Sequence, residues 1–130
     1  MLDTNICIYL IKNRPLEVRE KFNQYEVGEI AISSISVSEL YYGVEKSQHT
    51  EKNRQALALF LAPLNILDYN EKASISYGNI RSKLQSKGVV IGSLDMLIAA
   101  HAKSLDITLI TNNTKEFIRV EGLKLENWIN

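Results

Sequence analysis

A chain of 130 residues with 45% hydrophobic and 23% charged side chains has the size and core-forming content of one ordinary domain, expected over residues 1–130. Fifteen basic residues balance fifteen acidic ones, which argues against a protein that grips nucleic acid by bulk positive charge alone but not against a nuclease whose acids carry cations. Cys7 is the single cysteine, so an internal disulfide framework and a multi-cysteine zinc site are excluded.

Residues 1–3 read as the end of a first strand. Residues 5–12 are apolar with helical spacing, interrupted at Asn13-Arg14-Pro15, after which Leu16, Arg19, Glu20 and Phe22 continue in helical fashion. The compact apolar run 30–35 predicts a second strand. Residues 36–47 predict a helix, with Val37, Leu40, Tyr41 and Val44 on one face. Another helix is expected over 50–62, stopped by Pro63. A third strand is predicted over 65–69. Ala73, Tyr77, Ile80 and Leu84 then mark a long amphipathic helix ended by Gly88. Residues 93–103 predict a very apolar, buried helix, 107–111 a fourth strand and 123–125 a last edge strand. Strands separated by helices imply βαβ units. The expected fold is α/β, with a central, mostly parallel sheet of four to five strands between helical layers. No apolar run approaches the roughly 20 residues of a membrane span, and the start lacks a signal-peptide pattern, so a cytoplasmic setting is expected.

In such a sheet, ligands gather beyond the carboxyl ends of the strands. Asp3 closes the first strand, Glu39 follows the second, Asp95 lies in the first turn of the 93–103 helix, and Thr111-Asn112-Asn113 closes the fourth strand. Converging carboxylates repel unless cations sit between them or protons are taken up. Magnesium and manganese, hard cations that prefer oxygen ligands, suit such a cluster. One or two of them can activate a water and stabilise the leaving oxygen of a phosphodiester displacement. Each acid also has a purely structural reading. Asp3 can be a helix N-cap, Ser36-Val37-Ser38-Glu39 fits a capping box, and Asp95 can complement the positive end of a helix capped by Ser93.

Four motifs in order resemble the PIN domain: Leu2-Asp3-Thr4-Asn5; Ser36 to Leu40; the run from Ile91-Gly92-Ser93-Leu94-Asp95 to Ala102; and Thr111 to Phe117. The resemblance is strongest to the VapC toxins of bacterial type II toxin–antitoxin pairs and covers residues 1–128. It implies a three-layer αβα fold and a cytoplasmic Mg2+- or Mn2+-dependent endoribonuclease that cuts RNA, often transfer RNA, and halts translation. A homodimer and a VapB-type antitoxin that masks the site are also implied. Asp3, Glu39 and Asp95 match the acids that hold metal and orient the attacking water. The family's fourth acid falls where this chain has Asn113, an amide that can accept from a water or bind a metal weakly through its oxygen but brings no charge. Glu116 offers a substitute carboxylate or is an ordinary solvated helix residue, which leaves one ion or two open. Relatives often carry residues ahead of the first aspartate, so the strand ending there is expected to be short.

Thr4, Asn5 and Thr111 are candidates to hydrogen-bond the acids, or ordinary turn and cap residues. Ser93 reads as a cap rather than a nucleophile. His101 is expected to be a packing or surface residue, His49 solvated and Cys7 core. Arg14, Arg19, Lys21, Lys46, Lys83, Lys87 and Lys115 could line an RNA path or simply keep the surface soluble. Tyr41-Tyr42 and the 57–61 run are candidate antitoxin or dimer contacts, with core packing the alternative. The rival function is a non-catalytic regulatory module that holds Mg2+ in an acidic pocket, as a receiver domain does. That reading needs a lysine at a late strand end, and Lys115 falls after the turn.

Overall fold

Leu2 joins the two halves of the sheet. In the computed structural model, which describes residues 1–129, it bridges Ile32 on one side and Ile110 on the other, both in parallel sense. Ala31–Ser33 (β1) pairs parallel with Asn65–Leu67 (β2), and Leu109–Ile110 (β3) with Leu125–Glu126 (β4). The lanes therefore run β2–β1–Leu2–β3–β4, all parallel. This is the expected sheet, made of strands much shorter than the apolar runs suggested.

Side-chain capping explains the shortening. The 30–35 run stops pairing after Ser33, because Ser33 Oγ accepts from the Ile35 N–H at 3.1 Å and Ser34 Oγ accepts from Tyr69 N–H at 3.0 Å. Helix α3 (Ser34–Glu45) thus starts two residues earlier than the periodicity indicated, with Ser33 as its N-cap. The capping-box reading of Ser36 and Glu39 is wrong in consequence: both lie inside the helix. At the other half of the sheet β3 ends at Ile110, where Thr111 Oγ1 accepts from Asn113 N–H at 2.9 Å.

The remaining helices follow the sequence pattern closely. Asp3 caps α1 (Thr4–Lys12), which ends at Asn13 in the left-handed region, and α2 (Leu16–Phe22) resumes after Pro15. Next come α4 (Thr50–Leu61) and α5 (Glu71–Lys87), the latter capped by Asn70 and closed by Gly88 at φ 68°. Gly92, not Ser93, precedes the first turn of α6 (Ser93–Ser104) as its N-cap, and α7 (Thr114–Phe117) is a single turn.

Two apolar clusters flank the lanes and make the three layers. One gathers Ile6, Leu10, Val18, Ile32, Leu40, Leu57 and Trp128. The other gathers Met1, Ile80, Leu84, Met96, Leu109 and Phe117. Leu57 and Leu61 belong to the core, whereas Leu59, Tyr41 and Tyr42 are exposed. Cys7 is fully buried. His101 is buried too, with Nδ1 2.7 Å from Ser33 Oγ and its ring edge-on to Tyr69. Among the described residues no helix is long and apolar enough to cross a membrane.

Candidate active site

Parallel lanes deliver their carboxyl ends, and the residues that follow them, to one edge. Asp3 leaves the central lane in extended conformation, its N–H donating to Ile110 O at 2.9 Å. Oδ1 accepts from Ile6 N–H at 2.8 Å, so Asp3 does cap its own helix. The Thr111 hydroxyl also donates to this carboxylate. Only 4% of the residue is exposed. Burial raises its pKa, the Glu39 charge adds to that, and the Thr111 and Ile6 donors oppose it.

Glu39 stands in the second turn of α3 and faces Asp3 across the start of α1. Thr4 Oγ1 donates to its Oε1 at 2.8 Å and lies 3.1 Å from Ser36 Oγ. Thr4 therefore orients Glu39, the hydrogen-bonding role of the two open to it from sequence.

Asp95, in the first turn of α6, has strongly perturbed acid–base behaviour. Its pKa rises to about 7, first through burial, then through the hydrogen bond to and charge of Glu116, then through Asp3 and Glu39. Glu116 is held ionised from behind: Gly92 N–H donates to Oε1 at 3.0 Å and Asn113 Nδ2 to Oε2 at 2.9 Å. These donors lower its pKa, the Gly92 amide most. Of the two carboxyls, Asp95 is therefore the readier to take up a proton.

Asp3, Glu39 and Asp95 line one cleft of about 650 Å3, with Thr4, Asn5 and Lys46 among its other walls. Asn113 and Glu116 are not part of that lining; they touch it through Asp95. Glu116 is accordingly no ordinary solvated residue, and the Nδ2 group of Asn113 is spent on holding it. The Gly92 amide escaped sequence reasoning, although a glycine just ahead of a helix-opening acid was the available cue. Ser38 and Gly43 also line the cleft unforeseen.

These residues fit a divalent cation. The donor set is all oxygen, which selects hard ions. Among the described residues no group of three or more acids, histidines or cysteines stands ready-made to hold a metal ion.

A parallel sheet flanked by helical layers, with acids along its carboxyl edge, fits the PIN-type nuclease class. The PIN domain family model matches residues 1–123, and the chain belongs to this family. Ribonuclease VapC2 of Haemophilus influenzae is 50% identical over 129 residues, 99% of this chain and 97% of that protein. The tRNA(fMet)-specific endonuclease VapC of Shigella flexneri is 47% identical over 128 residues, 98% and 96% of the two chains. Among solved structures, DNA-bound VapBC of Salmonella typhimurium superposes with a TM-score of 0.94 at 44% identity, covering 99% of this chain and 97% of that one. VapBC2 of Rickettsia felis, bound to a promoter DNA fragment, gives 0.93 at 44%, covering 99% and 98%. Within the PIN family the resemblance is thus to VapC ribonucleases, and divalent-metal dependence is general among PIN-domain ribonucleases.

Proposed function

We propose that the chain is the toxin of a type II toxin–antitoxin pair, an endoribonuclease that hydrolyses RNA phosphodiester bonds with Mg2+ or Mn2+ and so inhibits translation. Transfer RNA is the proposed substrate, by similarity to the relatives named for tRNA(fMet). The proposed partner is a VapB-type antitoxin, as in the VapBC assemblies it superposes on. A homodimer acting in the cytoplasm completes the reading.

One observation carries it: three acids from distant parts of the chain, Asp3 at the end of the central lane, Glu39 on the helix after β1 and Asp95 at the start of α6, line a single cleft, with Glu116 behind Asp95. A divalent ion held there by Asp3, Glu39 and Asp95 would supply an activated water and offset charge on the leaving oxygen. The protein's own part is positional. Ile6 N–H and Thr111 fix Asp3, Thr4 fixes Glu39, and Gly92 with Asn113 fixes Glu116, which presses on Asp95. Asp95 must lose its proton to become a ligand, and Glu116 can take part only through it. The receiver-like alternative has no support at Lys115, which is exposed on α7 and outside the cleft lining.

The deciding experiment incubates purified chain with total tRNA in Mn2+, in Mg2+ and in EDTA. Cleavage that needs the ion and disappears in Asp95→Asn supports the proposal. Cleavage that persists unchanged in EDTA, or inertness of the folded dimer towards all RNA, sinks it.

A further inference from the structure

Three side-chain features meet on the cleft face of α3 that the acid chemistry does not use. Glu39, Tyr42, Gly43 and Lys46 follow at i, i+3, i+4 and i+7, so they form one stripe leading from the acids to the carboxyl end of the helix. All four line the cleft. Tyr42 is 66% exposed, a large ring held open to water beside a carboxylate. Lys46 is the one cation among the described residues that line the cleft. Gly43 sits inside the helix, where glycine is disfavoured, and a Cβ there would meet nothing within 4 Å. Internal packing therefore does not require the glycine.

We propose that this stripe binds single-stranded RNA beside the scissile phosphate. Tyr42 stacks on a base, Lys46 pairs with a backbone phosphate, and the bare backbone at Gly43 leaves room for the strand between them. The inference rests on the ribonuclease reading and deepens it. An acidic cleft in a chain of zero net charge repels a polyanion, so a local cation at its rim is what makes substrate approach favourable. A lysine at the C-cap could merely answer the negative end of its helix. Its Nζ instead lies 5.0 Å from the centroid of the Tyr42 ring, one turn back and on the cleft side. Ring and cation together are the pair that single-stranded nucleic acid uses: a stacking platform with a phosphate contact, tolerant of sequence because every base has a face. Stacking requires an unpaired base, which points to loops and single strands rather than duplex RNA. The stripe supplies affinity and placement, not choice of base.

The test is steady-state cleavage of a short fluorescent single-stranded oligoribonucleotide by the full chain in Mn2+. Tyr42→Ala and Lys46→Met should each raise KM about tenfold with kcat within about twofold, the mark of lost substrate binding rather than lost chemistry. Tyr42→Phe and Lys46→Arg should recover most of the loss, since the ring and the charge remain. Lys46→Met should also flatten the dependence of log kcat/KM on log salt by about 0.7, one phosphate contact on a single strand. Gly43→Ala should raise thermal stability and still raise KM. Lys124→Met, at the opposite end of the sheet, serves as the control. Unchanged KM in Tyr42→Ala and Lys46→Met overturns the proposal. So does a pattern in which these variants weaken only inhibition by the antitoxin, which would make the stripe a protein contact. Should the wild type cleave no RNA, the ribonuclease reading fails on its own. Anisotropy binding of the same oligonucleotide then decides the stripe: a tenfold weakening in both variants sustains it, and equal binding or none by the wild type overturns it.

Discussion

Asp3 and Asp95 look into the same cleft and are held in opposite ways. Asp3 is almost wholly buried, yet a backbone amide and a threonine hydroxyl both donate to it. Asp95 is half-buried and meets another acid, Glu116, whose own donors keep it charged. The Asp3 side is therefore finished by the fold itself, because its geometry is the geometry of a helix cap. The Asp95 side is left unbalanced, its pKa raised to about 7 by burial and by Glu116. One half of the site supplies position and the other supplies demand for a cation.

The largest expected effect comes from removing either charge. Asp3→Asn and Asp95→Asn should each lower metal-dependent RNA cleavage at least about 100-fold, since several kcal/mol of charge stabilisation is at stake and about 1.4 kcal/mol is tenfold. They should differ in stability. Asn is as good an N-cap as Asp and carries none of the buried charge, so Asp3→Asn should raise the melting temperature of the metal-free protein only modestly at pH 8. Asp95→Asn removes a carboxylate from beside Glu116 and should raise it more. Thermal melts in EDTA alongside cleavage rates check both, and a larger rise for Asp3→Asn would break the distinction between the two halves.

Sequence alone reached the Asp3 half more completely than the Asp95 half, for a physical reason. Strand ends and helix starts are local features, so the order of Asp3, Glu39 and Asp95 along the edge of a parallel sheet could be read from periodicity and the strand-end rule. Glu39 was expected at this edge because it follows the second strand, though it stands in the second turn of its helix rather than the first. The rival capping-box reading failed because Ser33 and Ser34 end the strand early, and a Ser-Ser pair inside a β-branched run was the overlooked sign. The meeting of Asp95 with Glu116 depends on how α7 docks against the start of α6. No spacing rule encodes that contact, nor the Gly92 amide that secures it.

A second prediction follows from the raised pKa of Asp95. A carboxyl whose folded pKa is raised contributes stability that is fully present below its unfolded value, 3.8 for Asp95, and is lost as pH rises through the folded value of about 7. The metal-free protein should thus lose stability through this group between about pH 4 and 7. Asp3 shifts in the same direction, whereas the lowered Glu116 contributes oppositely, its stability being lost only as pH falls through its folded pKa. Saturating Mn2+ should displace the Asp95 proton and remove the loss. Calorimetric titration at pH 6.5 in two buffers of different ionisation heat should show close to one proton released per ion, with affinity falling about tenfold per pH unit further into acid. No proton release would mean that Asp95 is not a ligand.

Glu116→Gln probes the same half more gently. It keeps an oxygen for the Gly92 amide but removes the charge that raises the Asp95 pKa. Proton release at pH 6.5 should shrink. Metal affinity should fall about tenfold, as for an outer partner of a ligand, and an unchanged proton count would show that burial alone sets the Asp95 value.

The smallest expected effect tests the finished half. Thr4→Val keeps the shape of the side chain and deletes the one hydroxyl that orients Glu39. A single hydrogen bond is worth about 0.5–1.5 kcal/mol net, so cleavage should drop about two- to tenfold with the fold intact. Thr4→Ser, which restores the donor, should recover it. The stripe on α3 gives an internal standard: losing the Thr4 donor should act on kcat and on metal affinity, while losing Tyr42 acts on KM. A Thr4→Val enzyme with unaltered kcat and raised KM would show that Glu39 is held by α3 itself, and that Thr4 belongs to the substrate path instead.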